Sequence, residues 1–488
     1  MSNHCSRREL LGTASAGLMA AGMLGRVSIA APAGGASPFS FGKTRVLRVF
    51  IGRHPGWPRP DLDVRAEAER LKKALDAVPG QEDVEYLGNV FVNDPKALAA
   101  LMDQHKDTAG ILAVQVCLGT SDFLNAMADS GRPTAVYATP YSGHEWSIVP
   151  DMQRNGKKID VIPTSRFEDV LDAVRVFRAI SRLKETKVLF VGGPNWKPGP
   201  EYVASIQKKF GTTVIPYEHT RLVEAYDSIS SQAVEADADK WIRNAQRVRE
   251  PKRDEILKSA RFCLALQKVL ADEKAFAITI NCLGLFGRGL PAYPCFGFSR
   301  LNDLGLVGVC EGDLPSTMTQ VIFQHMEGVP GFVTDPVFDT ANNALIHAHC
   351  VSATKMDGPG GEAAPYEIRT HLEDHAGAVL QVKMRVGQEV TMAKLVGGLP
   401  KGLKAPGLAA SPSESWGTNI MLLSTGKIVD VPDVDSGCRT KITVRVADAR
   451  RMLENWSNGL HRVIFYGNHV QDVRRFARFT GLDVFEEC

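Results

Sequence analysis

The sequence predicts an α/β protein: two Rossmann-like parallel-sheet domains followed by an antiparallel, β-rich, barrel-like C-terminal domain. Three observations carry that reading. From residue 44 to about 343, short apolar runs alternate with amphipathic segments of helical spacing, the pattern of a parallel sheet covered on both faces. After about residue 344 the helical spacing gives way to strand-like runs broken by Gly and Pro, which reads as an antiparallel barrel or curled sheet. And 488 residues are too many for one hydrophobic core.

The chain opens with a segment that is not expected to belong to the fold. "CSRRELLGTASAGLMAAGMLGR" sets Arg7 and Arg8 before a mildly apolar Gly/Ala-rich run, and small residues follow with cleavage-like sites near Ala30 and Ala33. This order resembles a twin-arginine export signal. Residues 1–33 are therefore expected to engage the twin-arginine export machinery of a bacterium and to place the protein in the periplasm or otherwise outside the cytoplasm. Residues 34–43 read as a linker.

The first α/β unit is expected over 44–158. Its strands are "RVLRVFIG", "DVEYLG", "AGILAVQVCLG" and "PTAVYATPY", separated by helices such as "DVRAEAERLKKALDAV" and the Asp-capped "DPKALAALMDQHKD". A second unit is expected over 159–343. It holds the long helix "FEDVLDAVRVFRAISRLKET", the strands "KVLFVGG", "TTVIPYE", "AFAITINCLG", "GLVGVCE" and "GFVTDP", and a highly charged helical stretch over 219–260. That stretch reads as a solvated helix pair. The third unit, 344–488, contributes "NALIHAHCVSA", "AVLQVKMRVGQEVTMAKLVG", "GKIVDVP", "RTKITVRVAD" and "HRVIFYG", then a closing helix "VQDVRRFARFTG".

Composition narrows the function. With 44% hydrophobic and 23% charged residues and a net charge of +2, the chain is an ordinary globular protein with no basic stripe for nucleic acid. Its nine cysteines form no C-x-x-C pair; Cys5 falls in the opening segment, and most of the others read as buried free thiols.

Two apolar runs end on acids, at Glu311 and Asp335, with an amphipathic segment between them. If both runs are strands of one parallel sheet joined by a right-handed crossover, their carboxyl ends share one edge. Strands about 4.8 Å apart then let the two carboxylates converge, and a divalent cation keeps both ionised. The alternative for each acid taken singly is capping, and Asp313 and Asp339 read as caps. "NALIHAHC" sets His347 and His349 on one face of a strand by a period of two. "YEIRTHLEDHAG" supplies His371, and "GLHRVIFYGNH" supplies His461 and His469. The loop "FGRGLPAYPCFGFSR" offers Arg288, Tyr293 and Arg300, either as contacts for hydroxyl groups or as ordinary loop residues.

The order of a strand ending in E-G-D, an acid 24 positions on, an A-H-C strand and a late G-x-H before a strand resembles the L-fucose isomerase and L-arabinose isomerase family. The resemblance implies an aldose–ketose isomerase acting on a small sugar through an enediolate. It implies Glu311 and Asp335 as catalytic residues, and Glu311, Asp335 and His461 as ligands of Mn²⁺ or Mg²⁺. The arabinose branch adds a ligand at His349. Arg288, Arg300, His347 and His371 are the candidate sugar contacts. A homo-oligomer, a trimer or hexamer, is implied as well. The export signal and the sequence G-L-H-R depart from the familiar members, so the substrate does not transfer. Two readings of other classes stay open: an exported, non-catalytic sugar-binding protein, and a metal-dependent epimerase, lyase or hydrolase of carbohydrates.

Overall fold

The computed structural model describes residues 39–488 except 58, 194–196, 287–288 and 400–416. The export-signal expectation and Arg288 lie outside the described residues.

The first sheet is all parallel, with strand order β2-β1-β3-β4-β5. Its strands are β1 (Thr44–Ile51), β2 (Val84–Val92), β3 (Gly110–Gln115), β4 (Thr134–Ala138) and β5 (Ile159–Pro163). Strand β3 is buried along its whole length, as a central parallel strand covered by helices must be. The stretch at Ile159, expected to open the second unit, instead pairs with β4 and forms this sheet's edge. Its periodicity is that of a strand, and periodicity does not say which sheet a strand joins.

The second sheet is also parallel, in the order β10-β9-β6-β7, from β6 (Lys187–Val191), β7 (Thr213–Pro216), β9 (Ala277–Ile280) and β10 (Val307–Val309). The short β8 (Arg247–Val248) leaves this sheet and pairs with the hairpin β13 (Tyr366–His371) and β14 (Ala376–Val382). That three-stranded sheet packs on the helix Arg253–Asp272, so the whole region after 344 is not one barrel. The charged stretch forms the helices His219–Asp227 and Ser231–Asn244 ahead of Arg253–Asp272, with their polar faces exposed.

The barrel is built from β11 (Phe332–Asp339), β12 (Ala344–His349), β15 (Glu389–Val396), β16 (Ile420–Asp430), β17 (Thr440–Val446) and β18 (Arg462–Tyr466). They run antiparallel in the order β15-β18-β11-β12-β17-β16, and β16 pairs back with β15 to close the ring and remove its edges. Strand β19 (Asp483–Glu486) adds to β16 in parallel. The expected crossover between Glu311 and Asp335 is therefore corrected: β10 lies in the second parallel sheet, whereas β11 is a barrel strand.

The helix Leu314–Glu327 joins them. Every residue from Ser316 to Met326 is buried, so no solvent-facing stripe remains and the helix is a core element between sheet and barrel. Phe323 stacks on Phe465 of β18 with ring centroids 3.7 Å apart. The Leu395 N–H of β15 donates to Thr319 Oγ1 at 2.8 Å.

One buried ion pair fixes the end of β18 nearest the carboxylates. The Arg462 guanidinium donates to Glu487 at 3.0 and 2.5 Å, both side chains being fully buried. It also donates to the carbonyls of His461 and Ser457 at 2.9 Å and lies 3.8 Å over the Trp456 ring. Removing one partner strands the other charge in a dry site. Glu487→Ala should therefore lower stability by about 3–5 kcal/mol, read as a shift in the urea midpoint.

Candidate metal centre

Glu311 stands two residues past β10, in a turn where it and Gly312 both adopt left-handed backbone, φ +65° and +62°. The Gly312 N–H donates to the Ile280 carbonyl at 2.9 Å, which ties the turn to the end of β9. Left-handed backbone is costly for a residue with a Cβ, and packing must hold it there. Asp313 follows as the N-cap of the buried helix, accepting from Ser316 N at 3.0 Å and Ser316 Oγ at 2.6 Å.

Asp335 lies midway along β11, opposite Ala348 of β12. On its other side Thr334 pairs with Arg462, which brings His461, the residue before β18, alongside Asp335. His349 ends β12. Four residues from two sheets so meet in one box. His461 Nε2 is 3.1 Å from Asp335 Oδ1 and 3.5 Å from Glu311 Oε2. His349 Nε2 is 3.6 Å from Glu311 Oε1 and 3.8 Å from Asp335 Oδ2. Each carboxylate thus spans both imidazoles, and one ligand atom of each residue lies within 4.8 Å of all the others. Ligands about 2.1 Å from one ion stand about 3 Å apart when adjacent and about 4.2 Å when opposite, so these four contacts suit a shared dication.

The two imidazoles are prepared differently. His461 Nδ1 bonds Asp313 Oδ2 at 2.7 Å, which keeps a ring proton on Nδ1 and turns Nε2 toward the two carboxylates. Burial works against charge on this ring, but its bonds to Asp313 and Asp335 outweigh burial and lift its pKa to about 10. Burial likewise opposes the charged form of Asp335, yet the His461 bond and the nearby imidazoles hold its carboxyl below the usual range. Asp313 is held lower still: burial is offset by the Lys394 ammonium and by His461. His349 instead accepts the Cys350 N–H at its Nδ1, at 2.9 Å. Its neutral ring then carries the proton on Nε2, which is buried without a hydrogen-bond partner and faces both carboxylates. Glu311, Asp335 and His461 thus turn ligand-type atoms into one box, His461 Nε2 having first to lose its proton, whereas the His349 ring as bonded to Cys350 presents an N–H.

Of the remaining sequence candidates, His371 stands in electrostatic reach of His349. Its ring stacks on Tyr293 with centroids 5.2 Å apart, and Nδ1 is 3.3 Å from Asp374 Oδ2. Tyr293 OH donates to the same Asp374 oxygen at 3.0 Å. His347 does not join the box. It is fully buried, bonds Thr334 Oγ1 at 2.9 Å, and burial pushes its pKa down to about 3, the marks of a core histidine. Arg300 lies over the Trp241 ring at 5.8 Å and belongs to the packing of the middle domain. His469 bonds the Tyr466 carbonyl at 2.7 Å and faces Glu327 at 3.4 Å, in a network whose charges Arg175 balances. Of the two late histidines, His461 stands with Glu311, Asp335 and His349, and His469 stands in a separate group with Glu327 and Asp472.

Two residues of the site escaped the sequence reading. Asp313 reads as a helix cap and is one, but it also anchors His461. Lys394 lies in the apolar run "TMAKLVG", and a lone lysine there is the one signal that its charge is buried for a purpose. Its Nζ is 3.6 Å from Asp313 Oδ2. A cavity of about 400 Å³ is lined by Glu311, Gly312, Asp313, Pro315, Lys394, Leu460 and His461.

The comparisons with known proteins come to bear on this chemistry. No protein-family model matches the chain. The chain is similar to sulfoquinovose isomerases. Those of Priestia aryabhattai and Priestia megaterium are 22% identical to it over 328 residues, covering 65% of this chain and 68% of each relative. That of a Clostridium species is 25% identical over 214 residues, covering 42% of this chain and 43% of the relative.

The raised pKa of His461 sets a sign for cation binding. Below pH 10 the empty site holds an extra proton on this ring, and a cation at Nε2 must displace it. Mn²⁺ binding at pH 7 should release about one proton and tighten as pH rises, measured by calorimetry in buffers of different ionisation enthalpy. Asp313→Asn should weaken Mn²⁺ binding by about 10- to 100-fold.

Proposed function

We propose that the chain is a metal-dependent aldose–ketose isomerase of a small sugar. The observation that carries this reading is the box of two carboxylates and two imidazoles assembled from the second sheet and the barrel. The relatives' names support the same reaction class and point to a sulfonated hexose as substrate.

Glu311, Asp335 and His461 would hold Mn²⁺ or Mg²⁺, ions that favour oxygen and imidazole ligands. Such an ion, when bound, supplies Lewis-acid polarisation of neighbouring substrate oxygens, worth several kcal/mol. The chain's own groups do the rest. Interconverting an aldose and a ketose moves a carbon-bound proton from C2 to C1 and a hydroxyl proton from O2 to O1, and between the two the substrate is an enediolate. The carboxyl groups of Glu311 and Asp335 are about a third exposed, so both can face a substrate while staying partly desolvated. One takes the proton from C2 and the other returns a proton to C1, work worth about 10²–10⁴-fold in rate. His349, whose Nε2 faces the two carboxylates, would either join them as a ligand or donate to a sugar oxygen. Asp313 moves no proton in this scheme; it keeps the His461 ring from turning.

Three results test the reading. Chelation should abolish turnover and Mn²⁺ should restore it. Glu311→Gln should lower kcat by about 10²–10⁴-fold with an unchanged circular dichroism spectrum. In deuterated water the product should carry deuterium on the carbon next to the carbonyl. A sugar-binding protein would show no turnover, and a hydrolase would leave carbon-bound hydrogens untouched; either result would overturn the proposal.

A further inference from the structure

We infer that Lys394 reads a negatively charged oxyanion substituent of the sugar, so that this site takes an acidic sugar in preference to a neutral one. The inference rests on the isomerase reading only in calling the ligand a sugar.

Lysine is rarely buried without a reason, because its compact ammonium is strongly hydrated. Lys394 is 5% exposed and stands on β15. Its strand is pinned to the buried helix by the bond from Leu395 N to Thr319 Oγ1, so the root of the side chain is rigid. Its sole carboxylate within 4.0 Å among the described residues is Asp313, at 3.6 Å, beyond a good hydrogen bond. Asp313 is already committed: it accepts from Ser316 N, Ser316 Oγ and His461 Nδ1. An ammonium has three donors, and this one leaves most of its capacity unspent inside the protein.

What it faces is the cavity that also contains Glu311 and His461. No other cationic side chain lines that cavity among the described residues, apart from the His461 ring. A volume of about 400 Å³ is within the range of small-molecule sites. With a dication offsetting Glu311 and Asp335, the Lys394 ammonium faces Asp313 across 3.6 Å, and its uncommitted N–H groups are the donors on this wall that can meet an anion on the ligand. A sulfonate, with three acceptor oxygens and one negative charge, matches a single ammonium, and it is the group that the relatives' names carry.

The test uses the full chain loaded with Mn²⁺, as wild type, Lys394→Met and Lys394→Arg. Each is assayed with 6-deoxy-6-sulfoglucose and with neutral 6-deoxyglucose. Binding is measured separately by calorimetry with the reduced sulfonated hexitol, which cannot isomerise. Wild type should prefer the sulfonated sugar in kcat/KM. Lys394→Met should reduce that preference by about 10- to 100-fold, chiefly through KM, and weaken hexitol binding by a similar factor. Lys394→Arg should restore most of both. Glucose 6-phosphate, run alongside, separates a singly charged sulfonate from a doubly charged phosphate; preference for either over the neutral sugar upholds the cation's role. An unchanged preference in Lys394→Met would overturn the proposal. So would an equal loss toward charged and neutral sugars together with lost Mn²⁺ affinity, which would make Lys394 a positioning residue acting through Asp313. Wild-type turnover of neutral sugars with no preference for charged ones would leave the isomerase standing and remove the anion site. Hexitol binding through Lys394 with no turnover of any sugar would do the reverse.

Discussion

The structure is organised around an accumulation of negative charge at the seam between a parallel sheet and a closed barrel. Glu311 and Asp335 face each other across two imidazoles, and Asp313 stands directly behind one of them. Like charges this close in a partly dry site repel strongly, and ordinarily one of them would take up a proton. Here the opposite holds: the carboxyls of Asp313 and Asp335 are both held below their ordinary range. The compensation comes from Lys394 beside Asp313 and from His461, which bridges the two carboxylates in its charged form when no cation is present. A fold that was merely stable would have little use for this cluster, since apolar side chains would fill the same volume at lower cost. Its persistence at the mouth of a cavity is what makes it a functional candidate rather than a structural curiosity.

Asp313 shows how one residue can serve both fold and chemistry. As an N-cap it satisfies the first turn of a helix that has no exposed face. As the partner of His461 it determines which ring nitrogen looks into the box. As the counter-ion of Lys394 it keeps a buried ammonium near the cavity without saturating it. Spending the same carboxylate three times ties helix, barrel and site together, so a change at this position would be felt in all of them.

The sequence revealed the elements more readily than their partners. Alternation of strands and helices before residue 344, and of strands and turns after it, is visible because hydrophobic spacing is local. Sheet membership is not local. β5 joined the first sheet, β8 lies inside a stretch read as helical and pairs with a distant hairpin, and β11 belongs to the barrel although it follows a crossover-like helix. The four clustered residues were nevertheless legible. The two acids were visible at the ends of apolar runs, and it was the resemblance to the L-fucose and L-arabinose isomerase family that joined them to His349 and His461 among the late histidines. The reason first given for their meeting does not hold, since Glu311 and Asp335 do not share a sheet edge. His347 and His349 show the limit of period-two reasoning. The face they share was visible, but His349 sits at the last residue of β12, where the chain leaves the barrel toward the carboxylates, while His347 stays in the interior with Thr334. Lys394 was invisible for a related reason: its role depends on β15 packing against the helix 314–327, a contact between residues 76 apart in sequence.

That helix also explains how side chains from four strands and a turn can be held together closely enough for proton transfer. Glu311 and Asp313 precede it directly. Asp335 follows it by a short connection. His461 abuts the strand whose Phe465 stacks on its Phe323, and Lys394 neighbours the residue bonded to its Thr319. Each group is therefore referenced to one buried, close-packed cylinder rather than to a chain of separate contacts. Packed interiors yield little, and catalysis loses much of its advantage when reacting groups drift by an ångström. A loop carrying the same residues would offer the chemistry without the positioning. Placing them around a helix that is buried on every side converts the density of the core into precision at the cavity, and it does so where the backbone at Glu311 needs that support to stay in its left-handed turn.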